Sequence, residues 1–207
     1  MMLLALDTAT RLSSLALFDG KRLWREETWY SDRRHTVELL PRIDRAMQEV
    51  GLHPRDLTGV AVALGPGSYT GLRVSLSLAK GLAVAGGLAV VGIPTLDVAA
   101  YPHQGRALPV CALVPAGRGH ICWASYGEAS SGWGRTSDYC LGEVDELVQT
   151  GSGPTFFAGE IEPAVAEGLR AALGEQAHLA SPALGLRRAG VLAELAWQRL
   201  ARGEADD

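Results

Sequence analysis

Gly59-Val60-Ala61-Val62-Ala63-Leu64 is a run of six residues without a polar side chain. It leads directly into Gly65-Pro66-Gly67-Ser68-Tyr69-Thr70-Gly71 and then into a helical stretch lasting to about Ala85. An apolar run without alternation is what a strand covered on both faces requires, and such strands belong to parallel sheets flanked by helices. A glycine-rich turn ahead of a helix leaves backbone N–H groups pointing outward. Strand, turn and helix together confine the chain to an α/β architecture. The helix is also too apolar for a simple sheet cover. Leu72, Leu76, Ala79 and Ala83 make one face and Val74, Leu78, Leu82 and Ala85 another, leaving Arg73, Ser77 and Lys80 as a narrow polar stripe. A helix on a sheet keeps a wide wet face, so this one is expected to bury two sides. The small residues Ser75, Ser77, Ala79 and Gly81 would admit a second helix, from the chain's own core or from a partner.

The flanking segments fit the same architecture. Leu3–Asp7, Leu12–Phe18 and Arg22–Trp29 read as strands, with Asp19-Gly20 as a hairpin turn. A helix follows in which Leu39, Leu40, Ile43, Ala46, Met47 and Val50 recur at helical spacing. Thr36 is its expected N-cap, Gly51 its C-terminal stop, and Glu38–Arg42 and Arg45–Glu49 its side-chain pairs. Leu88–Val91 is a further strand, Pro94-Thr95-Leu96 begins a short helix, and Tyr101–Arg106 reads as a linker. The pattern then recurs more weakly. Strands are expected at Pro109–Val114, His120–Tyr126, near Trp133–Tyr139 and at Thr155–Ala158, with helices at Val144–Gln149, Pro163–Leu173 and Leu186–Leu200. This implies an N-terminal lobe over 1–101, a smaller lobe over 107–184, and a final helix over 185–202 that packs back on the first lobe.

The net charge of −4 argues against a chain that holds nucleic acid alone, which needs a basic stripe. Arg33-Arg34 and Arg187-Arg188 read as solvated surface pairs. No apolar run approaches the roughly 18 residues of a membrane span, and Asp7 comes too early for a signal peptide. Three cysteines without a Cys-x-x-Cys pair fit a reducing cytoplasm. His35, His53, His103, His120 and His178 never stand three or four apart, so no metal site is expected. Cys111 and Cys122 read as core. Ser68 does not meet the Gly-x-Ser-x-Gly spacing, and a capping role for Ser68 or Thr70 is the better reading.

Asp7, Thr8 and Thr10, with Gly65, Gly67 and Ser68, are candidates for gripping a phosphate. They stand where actin-like kinases carry an acid and a phosphate-binding turn. The Walker pattern fails, and the second-lobe turn Val114-Pro115-Ala116-Gly117-Arg118-Gly119 offers no carboxylate for Mg²⁺. No catalytic residue and no cofactor are assigned, with ATP the alternative.

Leu6-Asp7-Thr8-Ala9-Thr10, His35-Thr36 with Leu40-Pro41, Gly65 through Arg73, and Gly92-Ile93-Pro94-Thr95-Leu96 closely resemble the TsaB (YeaZ) family. In the second lobe the resemblance is carried by Trp123-Ala124-x-Tyr126. It implies an actin-like (ASKHA, ribonuclease-H-like) α/β fold of two lobes, each a mixed sheet flanked by helices. It also implies a non-catalytic role in making N6-threonylcarbamoyladenosine at position 37 of tRNAs that read codons beginning with A. The implied partners are the catalytic paralogue TsaD, as a heterodimer, and the ATPase TsaE; alone, the chain would form a homodimer. Transfer RNA would be met only through the complex, and no membrane is involved. The helices His35–Val50 and Thr70–Ala85 would dock, with His35, Leu39, Arg42, Thr70, Arg73, Val74, Ser77, Leu78 and Gly81 at the interface. The chain departs from the family at Pro115-Ala116-Gly117, where Asp-Ala-Arg is usual, and lacks a Pro-x-Tyr-Leu-Arg segment near its C-terminus. The alternatives are a stand-alone actin-fold ATPase or small-molecule kinase and, from an old family label, a peptidase.

Overall fold

The computed structural model describes residues 1–32, 34–130, 132–151 and 153–206. Arg33, half of one expected basic pair, lies outside the described residues. The chain divides into two compact units, Met1–Thr95 with the segment from Arg187 onward, and Leu96–Leu186. The first boundary falls at Thr95, earlier than the Tyr101–Arg106 linker expected from composition. That linker is instead a 3-10 turn, Tyr101–His103, with His103 buried in the second unit.

The first unit contains β1 (Leu3–Asp7), β2 (Leu12–Phe18), β3 (Leu23–Tyr30), α1 (His35–Glu49), β4 (Gly59–Ala63), α2 (Tyr69–Gly86), β5 (Ala89–Ile93) and the last helix, α6 (Ala189–Ala201). Its sheet runs β3-β2-β1-β4-β5. The first three strands form an antiparallel meander, while β4 pairs parallel to β1 and β5 parallel to β4. This is the strand order of an actin-like, ribonuclease-H-like lobe. Every residue of β1 and β4 is buried, as the apolar runs require, because helices cover both faces. Strand alternation sorts the residues. Leu4, Leu6, Leu15, Leu17, Val60 and Val62 share a core with Leu39, Ile43 and Met47 of α1 and Ala79 of α2. α6 packs on β1 and β2 from the other side through Leu192, Ala193 and Ala196.

Asp19 closes the β2–β3 turn. Its carboxylate accepts from Trp24 Nε1 at 2.8 Å and from the backbone N–H of Lys21 and Arg22, and these bonds, led by that from Trp24, lower its pKa to about 2. Helix α1 begins two residues earlier than a Thr36 cap implies, with Arg34 at the N-cap position and Thr36 inside the first turn. The expected pairs along α1 are replaced by partners from β3: Arg42 bonds Glu27, and Arg25 Nε bonds Glu49 at 2.8 Å. The neighbouring strand presents its charges within reach, which spacing along one helix does not register. Past α6, Asp206 makes a further unexpected pairing: its N–H bonds the Val90 carbonyl at the edge of β5.

The second unit contains α3 (Thr95–Ala100), which starts at the boundary and belongs to it from Leu96 on, together with β6 (Val110–Gly117), β7 (His120–Ala129), β8 (Gly132–Arg135), β9 (Cys140–Gly142), α4 (Val144–Thr150), β10 (Thr155–Gly159), α5 (Pro163–Leu173) and β11 (Ala177–Leu179). Its sheet runs β11-β10-β6-β7-β8, with β9 also on β7. Residues of β6 alternate between two cores. Val110, Ala112 and Val114 lie with Leu96 and Ala100, whereas Cys111 and Leu113 lie with Leu147, Val165 and Leu169. Burial pushes the Cys111 thiol up to about 12, so it is an inert core residue. The strands β9 and β11, three residues each, carry no readable pattern and were not expected.

Candidate functional site

An exposed apolar groove of the first unit lies between α1 and α2. Its volume is about 500 Å³, and it is lined by Thr36, Leu39 and Leu40 from α1, and by Tyr69, Thr70, Arg73, Val74, Ser77 and Leu78 from α2. Six of the nine expected interface residues, Leu39, Thr70, Arg73, Val74, Ser77 and Leu78, meet there. His35, Arg42 and Gly81 do not line it. Leu40 and Tyr69, which the sequence sets in the apolar row of α1 and in the glycine-rich turn but not among the expected interface residues, are its most open apolar groups at 55% and 74% exposure. Leu40 follows Thr36 by four residues on α1, so helical spacing alone could have set both on the groove side.

The groove exists because of how α2 meets the sheet. Its buried residues are Gly71, Ser75 and Ala79, a stripe with four-residue spacing. Small side chains let the helix lie close to β4, so Val74 and Leu78 stay half-buried on the flank rather than under it. Ser75 and Ala79 are thus spent on the sheet, while Ser77 and Gly81 remain exposed. Arg73 donates to Tyr69 Oη at 3.0 Å and lies 5.2 Å from its ring centroid, which holds the phenol at the groove's end.

His35, the first residue of α1, is 6% exposed. Its Nδ1 lies 3.1 Å from Ser13 Oγ. Burial holds its pKa below the usual 6.5, partly offset by Glu38 and Asp7. Its place is beneath the helix rather than on the groove. Arg42 lies over the Trp29 ring at 4.5 Å and pairs with Glu27.

The phosphate-loop candidates converge, yet on each other. Ser68 caps α2, its Oγ accepting from Gly71 N at 3.3 Å. Ser68 N donates to the Ala9 carbonyl at 2.6 Å, and Thr8 Oγ1 donates to the Gly71 carbonyl at 2.6 Å. A Cβ on Gly67 would overlap the Ala9 backbone, and one on Gly71 the Thr8 carbonyl, so only glycine allows the two turns to touch. Gly65, left-handed at φ +104, exchanges bonds with Thr95.

Asp7 is fully buried and faces a residue 180 positions away. Arg187 Nε donates to Asp7 Oδ2 at 2.9 Å, and its Nη2 lies 3.5 Å from Oδ1. The same Nη2 donates to Thr10 Oγ1 at 3.0 Å and to the Leu12 carbonyl at 3.1 Å. Arg187 is 1% exposed, which corrects the reading of Arg187-Arg188 as a solvated pair. Only Arg188 is outside, bonded to Glu26. Nothing in the local sequence separates the two arginines, because the difference is made by a carboxylate at the other end of the chain. Among the described residues no three His, Cys, Asp or Glu side chains gather to hold a metal ion.

The sequence model of the family described as TsaD, tRNA N6-adenosine threonylcarbamoyltransferase, matches residues 30–202. The tRNA threonylcarbamoyladenosine biosynthesis protein TsaB of Escherichia coli (strain K12) is 32% identical over 134 residues, 64% of this chain and 58% of the relative. The match thus spans less than two thirds of that curated relative's length. The solved structure of YeaZ from Pseudomonas aeruginosa superposes with a TM-score of 0.81 at 26% identity, covering 100% of this chain and 95% of that one. The ROK hexokinase from Thermus thermophilus, at 15% identity and a TM-score of 0.51 over 97% of this chain and all of that one, shares the fold alone.

Proposed function

The chain belongs to the TsaB (YeaZ) family, and from that premise we propose that it is the non-catalytic partner subunit in forming N6-threonylcarbamoyladenosine on tRNA, docking through the α1–α2 groove onto a TsaD-like paralogue. The open groove is the observation that carries the reading. Leu40, Tyr69, Val74 and Leu78 present apolar surface that a monomer has no reason to keep in water. A helix pair from a related lobe is the natural cover, since a groove between two helices accepts another helix by the same ridge-and-groove packing. A second copy of the chain would fill it in the paralogue's absence. The ATPase of the system, TsaE-like, and tRNA would join the assembled pair rather than this subunit. The engagement of Asp7 by Arg187 supports a role without nucleotide chemistry in this chain.

The test is co-purification with the paralogue, with calorimetry for affinity and threonylcarbamoyladenosine content of cellular tRNA as the functional readout. Val74→Glu with Leu78→Glu places two carboxylates in the groove. Desolvating unpaired charges costs several kcal/mol, so association should weaken by about 100-fold or more. Circular dichroism should stay unchanged, because both side chains are only half-buried in the isolated chain. Undiminished association of the folded double variant would overturn the reading.

A further inference from the structure

The geometry points to Arg187 as a positioning residue for the α1–α2 groove, acting through Asp7 from the point where the chain re-enters the first unit. This inference rests on the reading of the groove as the docking face. A buried carboxylate without a counter-charge is costly, and Arg187 supplies that charge with two of its donors on Asp7. So held, Asp7 Oδ1 accepts from Ala9 N at 2.8 Å, which shapes the turn at residues 8–10. That turn seats α2: the Ala9 carbonyl receives Ser68 N, and Thr8 Oγ1 reaches the Gly71 carbonyl. There is no slack between the turns, since even a methyl on Gly67 or Gly71 would collide with the opposite backbone. A shift of residues 8–9 is therefore passed to the first turn of α2, and with it to Thr70, Arg73 and Val74.

The second wall is reached by the same guanidinium. Nη2 bonds the Leu12 carbonyl at 3.1 Å, and the next residue, Ser13, holds His35 at the start of α1. One side chain thus ties the beginnings of both groove helices to a single point.

The experiment compares the full-length chain with Arg187→Met and with the double variant Asp7→Asn, Arg187→Gln, whose amides can still bond without a buried net charge. Amide hydrogen exchange is followed at Ala9, Ser68 and Gly71, with Val60 in β4 and Ala193 in α6 as references. Paralogue affinity is measured by calorimetry. In Arg187→Met the three turn amides should exchange about tenfold faster relative to the references, and affinity should fall by a similar factor, the scale of losing bonds to a charged group. The double variant should restore both to within about threefold. A purely structural role would raise exchange uniformly, and that result overturns the inference. So does selective turn exchange with unchanged affinity. If Arg187→Met does not fold, the double variant decides, and loss of turn protection there counts against the latch. Failure of the wild-type chain to bind the paralogue, with selective exchange intact in Arg187→Met, would sink the docking reading and leave the turn latch standing.

Discussion

His35 and His103 are buried in different units, at 6% and 2% exposure. Burial is the main cause that lowers both pKa values from 6.5, and for His103 the nearby Arg106 adds to it. In the unfolded chain both protonate at the ordinary value. As pH falls through about 6.5, the unfolded chain takes up protons that the folded chain refuses, so stability is lost. Above that pH their contribution is complete. Thermal unfolding should therefore shift downward between about pH 7.5 and 5.5. His103 tilts against Phe156 with centroids 4.9 Å apart, so His103→Phe keeps an aromatic contact while removing the proton site. The variant should show a shallower loss of melting temperature with acid, and a slope equal to wild type would refute this. Neither histidine could be placed from sequence. His35 stands beside exposed Arg34 and Thr36, and its burial comes from Ser13 and the sheet beneath it.

At the scale of elements, α2 divides its glycines between two tasks. Gly71 is in contact with the Thr8 carbonyl, whereas Gly81 has no atom within 4 Å of where a Cβ would stand. Gly71→Ala must push the helix off the turn and should cost about 1–3 kcal/mol, as overpacking does. Gly81→Ala should stabilise the isolated chain by up to about 1 kcal/mol through helix propensity. Urea denaturation of both variants would check the opposite signs, and a stabilising Gly71→Ala would refute the close seating. Most of this element was legible beforehand. Its approximate limits and its excess apolar surface follow from a 3.6-residue period, while the cap was narrowed only to Ser68 or Thr70, of which the structure selects Ser68. Which apolar row stays open was not legible. Both proposed faces are nearly equal in hydrophobicity, and the stripe on the sheet is the smallest one, Gly71, Ser75 and Ala79, because closeness of approach outweighs side-chain size there.

For the whole molecule, the return of the chain at Arg187 matters most. α6 buries Ala189, Gly190, Leu192, Ala193 and Ala196, and Arg187 neutralises Asp7. A chain ending at Leu186 would leave one face of the first sheet uncovered and a carboxylate buried without its counter-charge. Its first unit should lose protection from hydrogen exchange at β1 and β4, while the second unit keeps it at β6, which is sandwiched by its own helices. Persistent protection at Leu4 and Val60 in that truncated chain would show that the first unit does not depend on its C-terminal segment. The order of elements was readable along most of the chain, including α5 at both limits. The edge strands β9 and β11 were not, since three residues hold too little pattern to stand out and pairing with a neighbour defines them.

The α/β class, the strand–turn–helix unit, the family and the surplus of apolar surface on α2 were determined by the sequence alone. Each is written in a local period, a short motif or a composition that survives unfolding. Tertiary structure decided which side of α2 faces outward, where the first unit ends and resumes, and that Arg187 is the internal counter-charge of Asp7. These depend on groups up to 180 residues apart meeting in a space from which water is excluded. Local patterning carries no record of that meeting, because the favourable energy exists only once the sheet and helices have closed around both charges.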